Sequence, residues 1–160
     1  MPKREVCVEM NSAEINSGKM NSCHRGASNA AVAATAGAIL SLLPVVVRQM
    51  GLIKHLPDPP GEIFDSDRIT TSRMAHPLGV PDALLGLGSY GITLGLLLAA
   101  RRMAHAKPLL RAKLNADAAA AATNFTRQLI TFRRICSWCT ATALCTAVMV
   151  CYGRRSAHAE

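Results

Sequence analysis

The chain has 160 residues, half of them hydrophobic but only 4% aromatic, and a formal net charge of +8. That length suits one domain, but no charge falls between Gly26 and Val47, between Ala83 and Ala100, or between Ile135 and Gly153, and each window approaches the roughly 20 residues that cross a bilayer. A basic balance can mark a nucleic-acid binder, but here the basic residues stand mainly at the ends of these windows, where they set topology; a lipid bilayer is the expected partner and nucleic acid is not.

Residues 1–28 are polar, rich in Asn and Ser, and without apolar periodicity, which predicts a disordered tail. The apolar block behind them starts too far from Met1 for a signal peptide and reads as a retained anchor. This first span, 29–51, contains Pro44, where the lost backbone donor predicts a kink. Residues 52–78 form the longest polar connection, opened by Pro57-Asp58-Pro59-Pro60-Gly61. The second span, 79–100, carries Gly86, Gly88, Gly91 and Gly95. Such a small-residue face serves close helix packing, within one chain by preference or between two copies.

The next connection holds Arg101, Arg102, Lys107, Arg111 and Lys113 and no acid before Asp117, so it is expected on the cytoplasmic side together with Arg154 and Arg155. Placing both there requires a third span over 113–133, although Asn115, Asp117, Asn124, Arg127 and Gln128 interrupt it. Polar residues in a span usually face the bundle interior; Arg127 can instead snorkel to the outer interface, which is the preferred reading. The fourth span, 135–153, completes an all-α, four-helix transmembrane bundle with the 154–160 tail and the N-terminus cytoplasmic and Cys136 outside.

Cys136-Ser137-Trp138-Cys139 opens that last span. Two thiols three positions apart at a helix start can close a disulfide across one turn, and the helix N-terminus favours the thiolate of the first. The pair is read as redox-active. Zinc would need two further ligands, and no second Cys-x-x-Cys or close His pair supplies them, so no metal site is expected. His24, His55, His76, His105 and His158 are scattered without ligand spacing. Cys145 and Cys151 read as small hydrophobes within the span. Asp82 follows Pro81 at the start of the second span, where it either caps the helix or, when protonated, donates to a ligand oxygen. Trp138 suits an interfacial aromatic belt and can wall the site.

Four spans with Cys-x-x-Cys opening the last, Gly79-Val80-Pro81 before a Gly-rich second span with Tyr90, and Phe125-x-x-x-Leu129 leading into the cysteines resemble the vitamin K epoxide reductase family, its bacterial branch in particular. The resemblance, over about Phe64 to Tyr152, implies a quinone of menaquinone or ubiquinone type as electron acceptor and disulfide formation in exported proteins at the bacterial inner membrane. It implies Cys136 and Cys139 as catalytic residues, and it suggests Ser72, Asp82, Asn124 and Trp138 beside the quinone.

One departure stands out. The family carries a second cysteine pair in the outer loop, the later one in a Cys-Asp-x-Val-x-x-Ser pattern, whereas this chain reads Ser66-Asp67-Arg68-Ile69-Thr70-Thr71-Ser72. No cysteine lies between Cys23 and Cys136, and Cys7 and Cys23 in a cytoplasmic tail would be ~30 Å of hydrocarbon away. The expected electron donor is therefore a separate thioredoxin-like protein acting on Cys136. The alternative is a catalytically reduced membrane scaffold of the same fold.

Overall fold

A computed structural model describes residues 17–157, with side chains from Arg25 to Ser156 except Leu78. Those residues form five α-helices and no strand: α1 (Ser17–Gln49), the one-turn α2 (Ser66–Thr70), α3 (Asp82–Ala100), α4 (Ala106–Arg127) and α5 (Ser137–Ala157). A π-helical turn, Gln128–Phe132, extends α4.

The four long helices close a ring in which α1 packs on α3 and α5, and α4 packs on the same two. Their shared core is aliphatic, built on Leu42, Val45, Leu97, Leu110, Leu114 and Met149. Close approach is enforced at three glycines. A Cβ at Gly153 would come within 2.9 Å of Leu114, at Gly86 within 3.1 Å of Leu42, and at Gly37 within 3.1 Å of the Cys145 sulfur. Gly88, Gly91 and Gly95 behave otherwise, since a Cβ on any of them meets nothing within 4 Å. The expectation that the glycine face serves packing within the chain therefore holds for Gly86 alone; the other three lie on the exposed side of α3.

Two helices, α1 over Arg25–Gln49 and α3, are long and apolar enough to cross a membrane. Both α4 and α5 are more polar. Large apolar side chains nonetheless cover the outside of the ring on α1 (Leu40, Leu43), α3 (Ile92, Leu98), α5 (Leu144, Val148) and the π turn, where Ile130 is 74% exposed.

The predicted tail boundary is too late. Helix α1 begins at Ser17, twelve residues before the expected span and with no proline to stop it, because extending an existing helix costs far less than nucleating one. Ser28 and Asn29 are held there by Arg101, whose guanidinium donates to both at 2.8 Å. Residues 1–16, with Cys7, lie outside the described residues, as do the side chains of Cys23 and His24 and the last residues of the C-terminal tail.

Candidate functional site

The connection 52–78 folds onto the end of the ring where α5 begins. Ile135 forms an isolated parallel bridge with Phe64, its N–H donating to the Ile63 carbonyl at 2.9 Å and its carbonyl accepting from Asp65 N–H at 3.1 Å. Trp138 Nε1–H donates to the Pro57 carbonyl at 3.0 Å. Asp58 is the hub of this attachment: its carboxylate accepts from Ser66 N–H at 2.8 Å, Ser66 Oγ at 2.5 Å and Ser137 Oγ at 2.5 Å. Ser66 Oγ in turn accepts from Ser137 N–H at 3.1 Å.

Below this cover sits Cys136, with no exposed surface. Arg133, in the left-handed region at φ 50°, turns the chain between α4 and α5. Cys136 then caps α5: its carbonyl accepts from Thr140 N–H at 2.9 Å, and its sulfur accepts from Cys139 N–H at 3.2 Å. A sulfur in the role usually taken by a Ser or Asp oxygen faces the unpaired N–H groups of the first turn, which favour negative charge on it. Neither thiol is in a disulfide.

A cavity of about 380 Å³ opens among α1, α3, α4, α5 and the connection. Cys139 lines it and Cys136 does not. Of the residues expected beside a ligand, Ser72, Asp82 and Asn124 line it as well, while Trp138 belongs to the cover. Asp82 is the first residue of α3 rather than its cap, and its carboxylate accepts from Gln49 Nε2 at 2.6 Å. Gln49 Oε1 accepts from Ala83 N–H at 3.2 Å, so this one amide ties α1 to the start of α3.

Two turns deeper lies a second polar layer. Seven residues separate Asp82 from Ser89, Asn124 from Asp117 and Cys139 from Thr146, a rise of about 10 Å along each helix. Asp117, only 5% exposed, accepts from Ser89 at 3.0 Å, from Thr93 at 2.5 Å and from Lys113. Tyr90 and Thr146 hydroxyls meet at 2.6 Å. The polar residues that weaken the third span are thus turned inward: Lys113 and Asp117 pair within the ring, and no charge on α4 faces outward between Lys113 and Arg127.

At the edge of the cover, Asp67 accepts from Arg48 at 2.7 Å, His55 at 3.0 Å and Leu56 N–H at 3.2 Å. Partial burial pushes its carboxyl up, but these three hydrogen bonds and the Arg48 charge outweigh that and hold it below the usual value of 3.8. Among the described residues no three His, Cys, Asp or Glu side chains converge as metal ligands.

Sequence reading missed Asp58, Gln49 and Gln128, whose amide oxygen accepts from Cys136 N–H at 3.0 Å. Gln49 and the Asp58–Ser137 contact act across long sequence separations, and the Gln128–Cys136 contact spans eight residues across a helix break, so none carries a local signature. The Lys113-x-x-x-Asp117 spacing was a readable signal, since residues four apart share a helix face.

Fold and site together define a helical dithiol protein whose second thiol opens on an internal cavity. The chain belongs to the vitamin K epoxide reductase family, matching it over residues 29–153. Membership makes it a membrane-integral oxidoreductase of quinone-linked redox function, in keeping with the two apolar helices. No curated protein and no solved structure matches the chain.

Proposed function

We propose that the protein is a thiol:quinone oxidoreductase that supports disulfide formation in exported proteins. The observation that carries this reading is the division at the cysteine pair: Cys139 lines a cavity large enough for a quinone ring, and Cys136 lies outside it beneath the cover. Ser72, Asp82 and Asn124 share the cavity wall with Cys139. A reduced thioredoxin-like partner attacks the Cys136–Cys139 disulfide at Cys136, and a mixed disulfide forms and resolves, leaving both thiols reduced. Their S–S bond then re-forms as two electrons and two protons pass to the quinone, giving the quinol.

All four long helices cross the membrane in this reading. The apolar side chains outside the ring would face lipid, and the inward Lys113–Asp117 pair removes the main obstacle to α4. Arg101, Arg102 and Lys107 between α3 and α4, with Arg154 and Arg155 on α5, mark the cytoplasmic end, so Cys136 lies on the periplasmic side of a bacterial inner membrane.

Purified protein in detergent, given a reduced dithiol and a soluble quinone, should consume the quinone, and Cys139→Ser should abolish the reaction. A second reading, a scaffold that has lost turnover, is favoured by Ser66 and by the complete burial of Cys136. Absence of both quinone consumption and donor capture would establish it instead.

A further inference from the structure

The polar groups on the cavity wall differ in whether they have a hydrogen left to give. Ser72 donates to the Ile69 carbonyl at 2.7 Å, Ser89 to Asp117, and Thr142 to the Trp138 carbonyl at 3.0 Å. Thr146 spends its hydrogen on the Thr142 carbonyl at 2.8 Å, so the Tyr90 hydroxyl must donate to Thr146. Asp82 and Asp117 accept. Asn124 and Arg127 keep free donors, but both residues are exposed rather than buried in the wall.

Gln128 differs from all of these. It is only 5% exposed and lines the cavity. Its orientation is fixed, because a backbone N–H can donate only to the amide oxygen and Cys136 N–H does so. The NH₂ group therefore points away from Cys136 N–H, and it has no acceptor among the described residues. Gln128 is buried as a residue, yet its amide nitrogen is not among the sealed polar atoms of the described residues, so both hydrogens are open to an acceptor that enters the cavity. The residue opens the π-helical turn, a departure from α geometry that often marks a site of function.

We propose that Gln128 is a quinone-binding residue whose Nε2–H donates to a ring carbonyl oxygen of the acceptor. The inference rests on the thiol:quinone reading and names the donor that reading lacks. Gln128 transfers neither electron nor proton. The thiols of Cys136 and Cys139 supply two of each as their S–S bond forms, while the N–H holds the oxygen on which charge develops and favours it more strongly as electrons arrive. The same amide is bonded to the backbone of the reacting cysteine, so ligand position and cysteine position are set by one side chain.

The test compares two ligands of one shape. Dimethylnaphthoquinone has ring carbonyls and no open ring carbon for thiol addition, and dimethylnaphthalene has the same outline without an acceptor. Both are titrated by calorimetry into the full-length protein in detergent. Gln128→Glu keeps an acceptor for Cys136 N–H and loses the donor; Gln128→Leu loses both. Each should weaken quinone binding by about tenfold, equivalent to about 1.4 kcal/mol, and leave the hydrocarbon within about twofold. Equal losses for the two ligands would show a merely structural role, and unchanged quinone binding in a folded variant would also overturn the proposal. If the parent protein binds no quinone, the thiol:quinone reading fails and Gln128 with it; if the parent binds and the variants bind equally, only Gln128 falls.

Discussion

Ser66 Oγ accepts from the N–H of Ser137, 71 residues later, at 3.1 Å, which seats the Ser66 side chain at the start of α5, on the residue next to Cys136. The serine stands where the family pattern has a loop cysteine, and the fold still delivers that position to the first cysteine of the pair. Ser66→Cys, combined with Cys139→Ser, should therefore form a disulfide between the introduced thiol and Cys136 under mild oxidation. The check is a mobility shift after alkylation with a bulky maleimide, with and without reductant. If both thiols stay alkylatable after oxidation, the position does not reach Cys136. The single Ser66→Cys change should also cost roughly 1.5–3 kcal/mol, since it removes a buried hydroxyl donating to the Asp58 carboxylate.

Asp67 makes the cover sensitive to acid. A carboxyl held below its unfolded value contributes stability that is present above that value and is lost as pH falls through the lower, folded one. The grip of Arg48 and His55 on the connection should thus persist above about pH 4 and weaken below the lowered pKa of Asp67. Hydrogen exchange at Leu56, whose N–H donates to this carboxylate, should accelerate only in that acid range. Asp67→Asn should show the fast exchange at neutral pH and cost about 0.5–1 kcal/mol, the small value of a partly exposed ion pair. Acceleration that begins well above that acid range would show that Asp67 is not the group that holds Leu56.

The charges inside the ring behave differently. Asp117→Leu leaves the Lys113 ammonium unpaired, with 18% of its side chain exposed, and should cost roughly 3–5 kcal/mol. Replacing both, Asp117→Leu with Lys113→Met, should recover most of the loss. Thermal unfolding in detergent of the two single variants and the pair decides the matter. Additive losses would mean that the two residues do not act as a pair.

Much of this arrangement was legible in the chain, for identifiable reasons. Uncharged windows mark α1 and α3 because apolar burial needs no partner to be recognised. Cys136 and Cys139 declare themselves by spacing. The start of α1 was not legible, because Asn- and Ser-rich composition disfavours a helix only weakly once the turns beyond it are formed. Nor was the burial of Cys136: its position at the start of a helix suggests the aqueous edge, and only the Phe64–Ile135 bridge and the Asp58 hub bring the connection over it. The place of Trp138 in the cover was not legible for the same reason. Its indole N–H finds the Pro57 carbonyl 81 residues away, a pairing that no local pattern announces.

The placement of the connection and the basic loop at opposite ends of the ring leads to a labelling test. The probes belong at the exposed positions Glu62 and Ala104. In intact cells a membrane-impermeant maleimide should label a cysteine introduced at Glu62 and spare one at Ala104. The reverse pattern would invert the topology and put Cys136 on the cytoplasmic side.

The last prediction concerns how a protein thiol reaches Cys136. Depth along α5 favours Cys136 as the thiol that meets a donor, since Cys139 lies ~4.5 Å further along the helix and opens on the cavity. Complete burial opposes it, because a donor cannot attack a sulfur with no accessible surface. The two are reconciled if the cover opens, and the fastening that one substitution can release is the cluster in which Asp58 alone accepts from Ser66 N–H, Ser66 Oγ and Ser137 Oγ. In a Cys139→Ser background, Cys136 should react slowly with a bulky maleimide. Adding Asp58→Ala should raise that rate by at least about tenfold, the factor expected when one or more hydrogen bonds of roughly 1.4 kcal/mol no longer hold the closed state. The same change should increase the yield of a mixed disulfide between Cys136 and the disulfide form of a thioredoxin-like protein, whose other sulfur leaves as a thiol, seen on a non-reducing gel. Fast alkylation of Cys136 without the Asp58 change would show that the cover does not protect it, and capture of the donor by Cys139 in a Cys136→Ser variant would reverse the order of the two cysteines.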